Sequence, residues 1–163
     1  NIEAARYLVS EIMPLIWKQL PQTTLLLAGA NPSKLVKSFE SERVKVSGWV
    51  DDIRTCYNQS KVFVAPMVSG TGLQNKLLEA LAMGLPSVTT PISAKPLAPG
   101  YENYVMVGNT PEELSNHIIR LLDEYQSGIS NDNQPREYIA NHYDANKIGL
   151  ELEQLLLDAI ANK

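Results

Sequence analysis

The stretch Val68–Thr90, VSGTGLQNKLLEALAMGLPSVTT, predicts a glycine-bearing loop, a helix that starts directly after it, and a β-branched strand. Gly70 and Gly72 lie where the helix begins. Several backbone N–H groups there have no partner within the helix and stand at the positive end of its dipole. Gly84 and Pro86 end the helix just before the strand. A loop and helix start of this kind suit a phosphate group.

The helix within this stretch has two chemically different sides. At about 100° per residue, Asn75, Lys76 and Glu79 fall on one side. The other side carries Leu77, Leu78 and Leu81. The leucines are suited to packing against a sheet, and a lysine and a glutamate one turn from a phosphate-suited loop indicate a nucleotide site. The alternative for Glu79 is a surface carboxylate that pairs with Asn75 or Lys76 across one helix turn.

The composition is typical of one globular domain and argues against several classes of function. The chain has 163 residues, 44% of them apolar and 20% charged, which is enough to bury a core. A net charge of −4 without a local Lys/Arg cluster argues against a nucleic-acid surface. Cys56 is the only cysteine, which fits a reducing compartment and allows neither an internal disulfide nor a cysteine zinc site. No signal peptide is recognisable, and no apolar run approaches the ~18 residues of a membrane-spanning helix.

Apolar runs and helical periodicities alternate along the chain. The predicted strands are Thr23–Gly29, Val44–Ser47, Val62–Ala65, Ser87–Thr90 and Tyr104–Val107. The predicted helices cover residues 3–20, Ser33–Glu40, Asp51–Asn58, Leu73–Met83, Pro111–Tyr125 and, in a helical tail over 133–163, Ala145–Ala161. This alternation predicts an α/β fold with a Rossmann-like parallel sheet and helices on both faces, and the first strand reads as buried on both faces. Ligands of such sheets bind at the carboxyl ends of the strands, so the loops there are the expected site.

Two helix starts carry capping signals. Asp51 is predicted to cap the helix that follows it, and the Asp51–Asp52 pair reads as a cap and dipole partner rather than a metal site. Thr110 precedes Pro111, and Glu113 completes a capping box.

Four segments together resemble the C-terminal half of a family 4 retaining glycosyltransferase. They are LLLAG (Leu25–Gly29), VKVSGWVDD (Val44–Asp52), VFVAPMVSGTGLQNKLLEALAMGLPSVTT (Val62–Thr90) and REYIANHYD (Arg136–Asp144). The resemblance implies a GT-B enzyme, in which two Rossmann-like domains face each other across a cleft. The C-terminal domain binds the nucleotide diphosphate sugar donor, and the N-terminal domain binds the acceptor. No metal or cofactor is expected, because the GT-B fold needs none and the sequence has no His/Asp cluster.

The resemblance also predicts what residues 1–163 lack. The opening NIEAARYLVSEIMPLI is similar to the first helix of the donor domain, so the first strand and the N-terminal acceptor-binding domain of the same protein are expected to be missing. Residues 1–163 are then one nucleotide-sugar-binding domain that is inactive alone. An apolar stripe on the last helix, which would lose its normal partner, is expected to drive dimerisation of the fragment. The stripe consists of Ile148, Leu152, Leu155 and Leu156.

The site residues follow from matching this sequence to the family's motifs. Glu79 matches the second glutamate of a Glu-x7-Glu motif, which accepts hydrogen bonds from the donor ribose. Ser69 and the Gly70–Leu73 loop (Gly70, Thr71, Gly72, Leu73) match the segment that approaches the diphosphate and sugar. Gly48, Trp49 and Val50 match the loop that clasps the base, mainly through the backbone at Val50. Trp49 either covers the core or touches the base.

Thr71 departs from the family pattern. It occupies the position of the first glutamate, which contacts the transferred sugar near the reacting carbon, and a threonine holds no negative charge there. The block GTGLQNK fits a Gly-x-Gly-x-x-Asn-Lys version of the motif, so Thr71 indicates a subfamily variant and is a candidate catalytic residue. Lys76 is a candidate catalytic cation for the departing diphosphate, with Asn75 as its partner or as a phosphate ligand. Solvent-facing side chains are the alternative for both.

The resemblance leaves the identity of the reaction open. The expected function is retaining glycosyl transfer, in surface polysaccharide or glycoconjugate biosynthesis, by a cytoplasmic protein that is free or peripheral at the inner face of the membrane. One alternative is a sugar-nucleotide 2-epimerase of the same architecture. Another is a non-catalytic partner whose donor site has decayed, with Thr71 as its marker.

Overall fold

Short leucine- and valine-rich runs form parallel strands, and helices separate these strands along the chain. The structure is a computed structural model that describes residues 1–70, 72–128 and 134–161. The strands are Leu25–Ala28 (β1), Val44–Gly48 (β2), Phe63–Ala65 (β3), Ser87–Thr89 (β4) and Val105–Val107 (β5). The α-helices are Ile2–Tyr7 (α1), Met13–Gln19 (α2), Lys34–Lys37 (α3), Arg54–Gln59 (α4), Asn75–Ala82 (α5), Pro91–Ala94 (α6), Pro111–Gln126 (α7), Gln134–Tyr143 (α8) and Ala145–Ala161 (α9).

The strands form two parallel sheets rather than one. In the first, β1 pairs with β2, and Leu25 lies opposite Val44. In the second, β3, β4 and β5 pair in that order, which aligns Phe63, Ser87 and Val105. Within the described residues, β1 and β3 are not paired with each other. The predicted α/β class with parallel strands flanked by helices is confirmed.

One layer of helices packs on both sheets and forms the first core. Its buried members come from α2, the segment before it, β4 and α7, namely Leu8, Ile12, Met13, Ile16, Val88, Leu114, Ile118, Ile119 and Leu121. Leu25 and Leu27 of β1 pack against this cluster, and so do Val64 of β3 and Met106 of β5. The two sheets are therefore held on a common apolar surface.

A second core covers the opposite face of the three-stranded sheet. Phe63 and Val105 alternate with Val64 and Met106, so their side chains point to the other face. There they pack with helices α5 and α8 and the segment before β5, in a cluster of Leu77, Leu81, Leu97, Val105 and Tyr138. This sheet is thus covered on both faces, as the alternation of strands and helices predicts.

The prediction that the first strand is buried on both faces is wrong. Leu25, Leu26 and Leu27 of β1 are half-buried, and Ala28 is exposed. Leu25 and Leu27 face the first core, whereas Leu26 belongs to none of the buried clusters. Helix α3, predicted over Ser33–Glu40, is also shorter than expected and spans Lys34–Lys37.

The predicted helix over residues 3–20 forms, but its middle is not an α-helix. A π-helical segment, Leu8–Ile12, joins α1 to α2. Pro14 follows this segment and has no N–H to donate to the preceding turn, which interrupts the α-helical ladder. Trp17 on α2 holds the segment just before β1, because its Nε1 donates a hydrogen bond of 2.9 Å to the Thr23 carbonyl.

Thr110 caps α7 as predicted, but the Glu113 carboxylate bonds to Asn109, one residue before the capping residue. The Thr110 hydroxyl accepts a hydrogen bond of 3.2 Å from the Glu113 N–H. Glu113 Oε2 accepts from the Asn109 N–H at 2.7 Å instead of from the capping residue itself. The hydrogen bonds from the Asn109 backbone and side chain hold the pKa of the Glu113 carboxyl below its usual value.

Helix α9 presents apolar side chains to solvent. Its exposed large residues are Ile148, Leu150, Leu152, Leu155, Leu157 and Ile160. Three members of the predicted stripe are among them, and Leu156 lies outside the described side chains. Across the part of the chain that the structure describes, no helix combines the length and apolarity needed to cross a bilayer.

Truncating a fully buried leucine of α7 tests the role of the first core. Leu114→Ala is expected to lower the free energy of unfolding by about 2–5 kcal/mol, because it removes apolar contacts and leaves a cavity. Urea unfolding followed by circular dichroism measures the change. Leu150→Ala is the control on exposed α9, where Leu150 is 66% exposed, and should stay within about 0.5 kcal/mol of the wild type. Equal losses in both variants would contradict the assignment of the core.

Candidate functional site

Two buried threonines at the end of β4 fix the carboxyl end of β3. The Thr89 hydroxyl donates a hydrogen bond of 2.7 Å to the Ala65 carbonyl, and the Thr90 hydroxyl donates one of 2.6 Å to the Met67 carbonyl. Both side chains are almost fully buried, so each hydroxyl satisfies a backbone acceptor where water has no access. The glycine-bearing loop therefore leaves the sheet from an anchored position. From the sequence alone these threonines were predicted only to form a strand.

The loop after β3 brings the predicted phosphate-binding backbone to the start of α5. Gly72 has a φ of 80°, a left-handed conformation that favours glycine, and an added Cβ would meet no atom within 4 Å. The loop is tied to the start of α1, because the Ser69 hydroxyl donates to Glu3 Oε2 at 3.2 Å. Helix α5 begins at Asn75, and the Gln74 side chain makes no capping hydrogen bond. The loop thus leaves open space beside a helix start that its N-cap side chain does not cover.

Several predicted residues surround this opening. Ser69, Gly70, Gly72 and Leu73 are all exposed on the loop. Thr71 lies outside the described residues.

The predicted polar side of α5 is exposed at its first turn. Asn75 and Lys76 are exposed, and neither side chain makes a hydrogen bond to the part of the chain that the structure describes. A cationic side chain beside the glycine loop is consistent with the predicted interaction with a diphosphate. The alternative pairing of Glu79 with Asn75 or Lys76 is absent among the described contacts.

Glu79 is held by a residue that sequence analysis did not single out. The Tyr57 hydroxyl donates a hydrogen bond of 2.8 Å to Glu79 Oε2 and lies 3.4 Å from the Lys76 carbonyl oxygen. Tyr57 is a buried residue of α4, whereas Glu79 is exposed on α5. Burial raises the pKa of the Tyr57 phenol, and the hydrogen bond to the Glu79 carboxylate raises it further. No short-range sequence pattern signals this pair, because 22 positions separate the two residues.

The predicted base-binding loop follows β2 directly. Gly48 has a φ of 66°, again in the left-handed region, and turns the chain out of the strand. Trp49 is 76% exposed, so it does not cover the core. Val50 is half-buried beside it. An exposed indole at the carboxyl end of β2 is available for contact with a ligand.

The predicted capping of α4 by Asp51 is wrong, since the N-cap residue is Ile53 and makes no side-chain capping hydrogen bond. Asp52 rather than Asp51 accepts the hydrogen bond from the Arg54 N–H, at 2.9 Å. Asp52 also forms an ion pair with the Arg54 guanidinium, and these contacts hold the pKa of the Asp52 carboxyl below its usual value. The helix starts three residues later than predicted, because Asp52 and Ile53 form the turn that leads into it.

The open cavity beside β5 lies away from these loops. It is lined by Tyr101, Glu102, Asn103, Val105, Met106, Val107, His117 and Arg120. None of the predicted site residues belongs to this lining. The Nε2 atom of His117 lies 3.2 Å from the Val107 carbonyl oxygen, within hydrogen-bonding distance.

Comparison with protein families identifies the class of the chain. The sequence model of the family described as Glycosyl transferases group 1 matches residues 1–124. Because this match covers more than half of the sequence, the chain belongs to the group 1 glycosyl transferases. The matched range contains the loop after β2, the glycine-bearing loop and helices α4 and α5. The family resemblance predicted from the motifs is therefore confirmed.

Individual relatives support the fold at low sequence identity. A sucrose-phosphate synthase from Thermosynechococcus elongatus matches with a TM-score of 0.73 and 21% identity, over 94% of this chain and 42% of that one. A glycosyltransferase from Rickettsia africae ESF-5 matches with a TM-score of 0.70 and 16% identity, over 94% and 45%. An uncharacterized 44.6 kDa protein in the cps region of Klebsiella pneumoniae is 20% identical, over 91% of this chain and 40% of that protein. The chain thus spans less than half the length of these relatives.

The raised pKa of Tyr57 predicts a loss of stability in alkaline solution. The unfolded phenol ionises near its ordinary value of 10.0, whereas the folded phenol stays protonated to higher pH. Stability is therefore fully present below that value and is lost as the pH rises above it. Urea unfolding at a series of pH values from about 8 to 11 measures the slope. Tyr57→Phe should reduce the slope, and an unchanged slope would contradict the burial and hydrogen bonding of this phenol.

Proposed function

We propose that this chain binds the nucleoside diphosphate part of a sugar donor and serves as the donor domain of a retaining glycosyltransferase. The observation that carries the proposal is the Glu79 carboxylate, which Tyr57 holds in place one turn beyond an open glycine loop. A carboxylate accepts hydrogen bonds and donates none, so it suits the two hydroxyls of a ribose. The family membership of the chain supports transfer of a glycosyl unit as the reaction class.

The diphosphate is proposed to lie at the start of α5. Gly70 and Gly72 allow the backbone to approach a ligand closely, and an added Cβ at Gly72 would enter open space. The N–H groups of the first helical turn and the helix dipole favour an anion at this place. Lys76 would supply a positive point charge as the nucleoside diphosphate leaves, with Asn75 beside it. Thr71 would contact the transferred sugar as a hydrogen-bonding group rather than as a charge.

The base is proposed to lie against the loop after β2. Backbone groups at Gly48 and Val50 would bind its edge, and the exposed Trp49 ring would contact its face. Because the backbone carries no code for one base, the loop is compatible with uracil, guanine or adenine. We therefore propose that the domain recognises a nucleoside diphosphate through backbone contacts that any of these three bases can make.

A longer protein is proposed to complete the enzyme. The relatives that match this chain are more than twice as long as the part they share with it. We propose that an N-terminal domain of the same protein binds the acceptor, and that residues 1–163 alone do not transfer sugar. The Klebsiella relative is named for a cps region, which supports a role in surface polysaccharide assembly. A cytoplasmic location would give the site access to nucleotide sugars, and the buried Cys56 thiol fits a reducing compartment.

A nucleotide titration followed by amide NMR tests the donor site. Adding UDP, GDP or ADP is expected to shift the amide signals of residues 48–52 and 69–79 with one of the three. Glu79→Ala should weaken binding at least about tenfold, because hydrogen bonds to a charged group contribute about 1.5–3 kcal/mol. Glu112→Ala, which removes an exposed carboxylate at the start of α7, is the control and should bind like the wild type.

The other outcomes of this titration separate the competing functions. No shift with any nucleotide at millimolar concentration would contradict the proposed donor site and favour a decayed one. Shifts confined to the cavity beside β5 would place the ligand elsewhere. If the complete protein converts a nucleotide sugar into its epimer without an acceptor, the reaction is epimerisation and not transfer.

A further inference from the structure

Tyr57 joins the rigid interior of the domain to the exposed carboxylate of Glu79. Its ring packs against Ala80, Leu85 and Phe63, with the Phe63 ring centroid 6.0 Å away. The residue is only 8% exposed, so the packed core fixes the position of the ring. Its hydroxyl reaches out of this core to Glu79 Oε2 at 2.8 Å. The packed Tyr57 side chain thus fixes the position of the Glu79 carboxylate at the surface.

We propose that Tyr57 is a positioning residue that fixes Glu79 in the conformation that accepts the ribose hydroxyls of the donor. The inference rests on the donor site proposed above. Tyr57 bonds one carboxylate oxygen, Oε2, and within the described residues the other oxygen, Oε1, accepts no hydrogen bond. Oε1 is therefore the oxygen assigned to the ribose. Tyr57 itself touches no reacting atom.

The physical reason is preorganisation of an otherwise mobile side chain. An exposed glutamate on a helix samples several rotamers, and a ligand that needs one of them must bear the cost of ordering it. The hydrogen bond from Tyr57 selects one conformation before the ligand arrives. The bond is charge-assisted, because a neutral phenol donates to an ionised carboxylate. The affinity for the ribose hydroxyls should therefore depend on the Tyr57 hydroxyl, which the ribose does not contact.

The location of Tyr57 also links two parts of the proposed site. Helix α4 follows the loop of Gly48–Val50 within a few residues, and Asp52 fixes the start of this helix through the Arg54 N–H. The segment from Gly48 to Tyr57 therefore begins with the proposed contact to the base. It ends with the residue that holds Glu79, the proposed acceptor of the ribose hydroxyls. A ligand that engages both ends meets groups whose relative positions the fold has already set.

Tyr57→Phe is the decisive variant, because it keeps the packed ring and removes only the hydroxyl. The probes are the nucleoside diphosphate that the wild type binds best and its 2′,3′-dideoxy analogue. The variant should bind the ribonucleotide about fivefold to tenfold more weakly, because the ligand must then bear the cost of ordering the Glu79 side chain. Its affinity for the dideoxy analogue should equal that of the wild type, because that ligand has no ribose hydroxyls for Glu79. Isothermal titration calorimetry measures both affinities.

Tyr138→Phe is the matched control. Tyr138 is also a buried tyrosine, 5% exposed, and its hydroxyl donates to the Ala98 carbonyl at 2.8 Å. This variant loses a buried hydrogen bond of similar length without touching Glu79. It should bind both nucleotides like the wild type. Equal weakening of both nucleotides by Tyr57→Phe would show a general structural effect and overturn the inference.

A measurement without ligand separates this inference from the donor site itself. Three-bond NMR couplings of the Glu79 side chain should report one rotamer in the wild type and in Tyr138→Phe, and averaged rotamers in Tyr57→Phe. If Glu79 stays in one rotamer in Tyr57→Phe, the positioning role is wrong. If the wild type binds neither nucleotide, the proposed donor site is wrong and the inference falls with it. If the wild type binds the ribonucleotide and Tyr57→Phe binds it equally well, only the inference is wrong.

Discussion

The arrangement of the domain depends on apolar helices that two separate sheets share. Backbone hydrogen bonds join β1 to β2 and β3 to β5 through β4, but within the described residues none joins one sheet to the other. The residues that align the sheets are those of α2 and α7, which receive Leu25 and Leu27 from one sheet and Val64 and Met106 from the other. Apolar burial supplies the attraction, and close packing supplies the geometry. The distance between the loops after β2 and β3 is therefore set by side chains.

Hydroxyl groups then position the polar parts of the candidate site from within. Thr89 and Thr90 anchor the backbone at the end of β3, and Tyr57 anchors a carboxylate on α5. Each of these side chains is largely buried, with its polar atom at the margin of the core. A hydroxyl in such a place has few alternative partners, so its hydrogen bond is directional and well defined. The loop itself remains glycine-bearing and open.

The sequence was most informative where one short segment determines the structure. The apolar runs predicted all five described strands to within two residues at each end. Thr110 was recognisable as a cap, because Glu113, whose N–H it accepts from, lies only three positions away. Helix periodicity also placed Asn75, Lys76 and Glu79 on one side of α5, and all three side chains are exposed. The Tyr57–Glu79 bond was not predictable, since it joins two helices through the tertiary fold. Two predictions were wrong at single elements. Adjacent aspartates are chemically equivalent, so the sequence does not tell that Asp52 rather than Asp51 accepts the hydrogen bond at the start of α4. Whether other elements bury the Leu26 face of β1 is decided by the tertiary fold.

The separation of the sheets has a consequence for the order in which parts of the domain open. The β1–β2 pair is a two-stranded ribbon, and such ribbons are marginally stable without support from packing. Its support comes from one face and from the bond of Trp17 to Thr23, so its amides should exchange with solvent by local unfolding before those of β4. The ribbon carries Gly48–Val50 at its end. A molecule held by this loop would shift the local unfolding equilibrium of the whole ribbon toward its closed form, and part of its binding free energy would be used in that ordering.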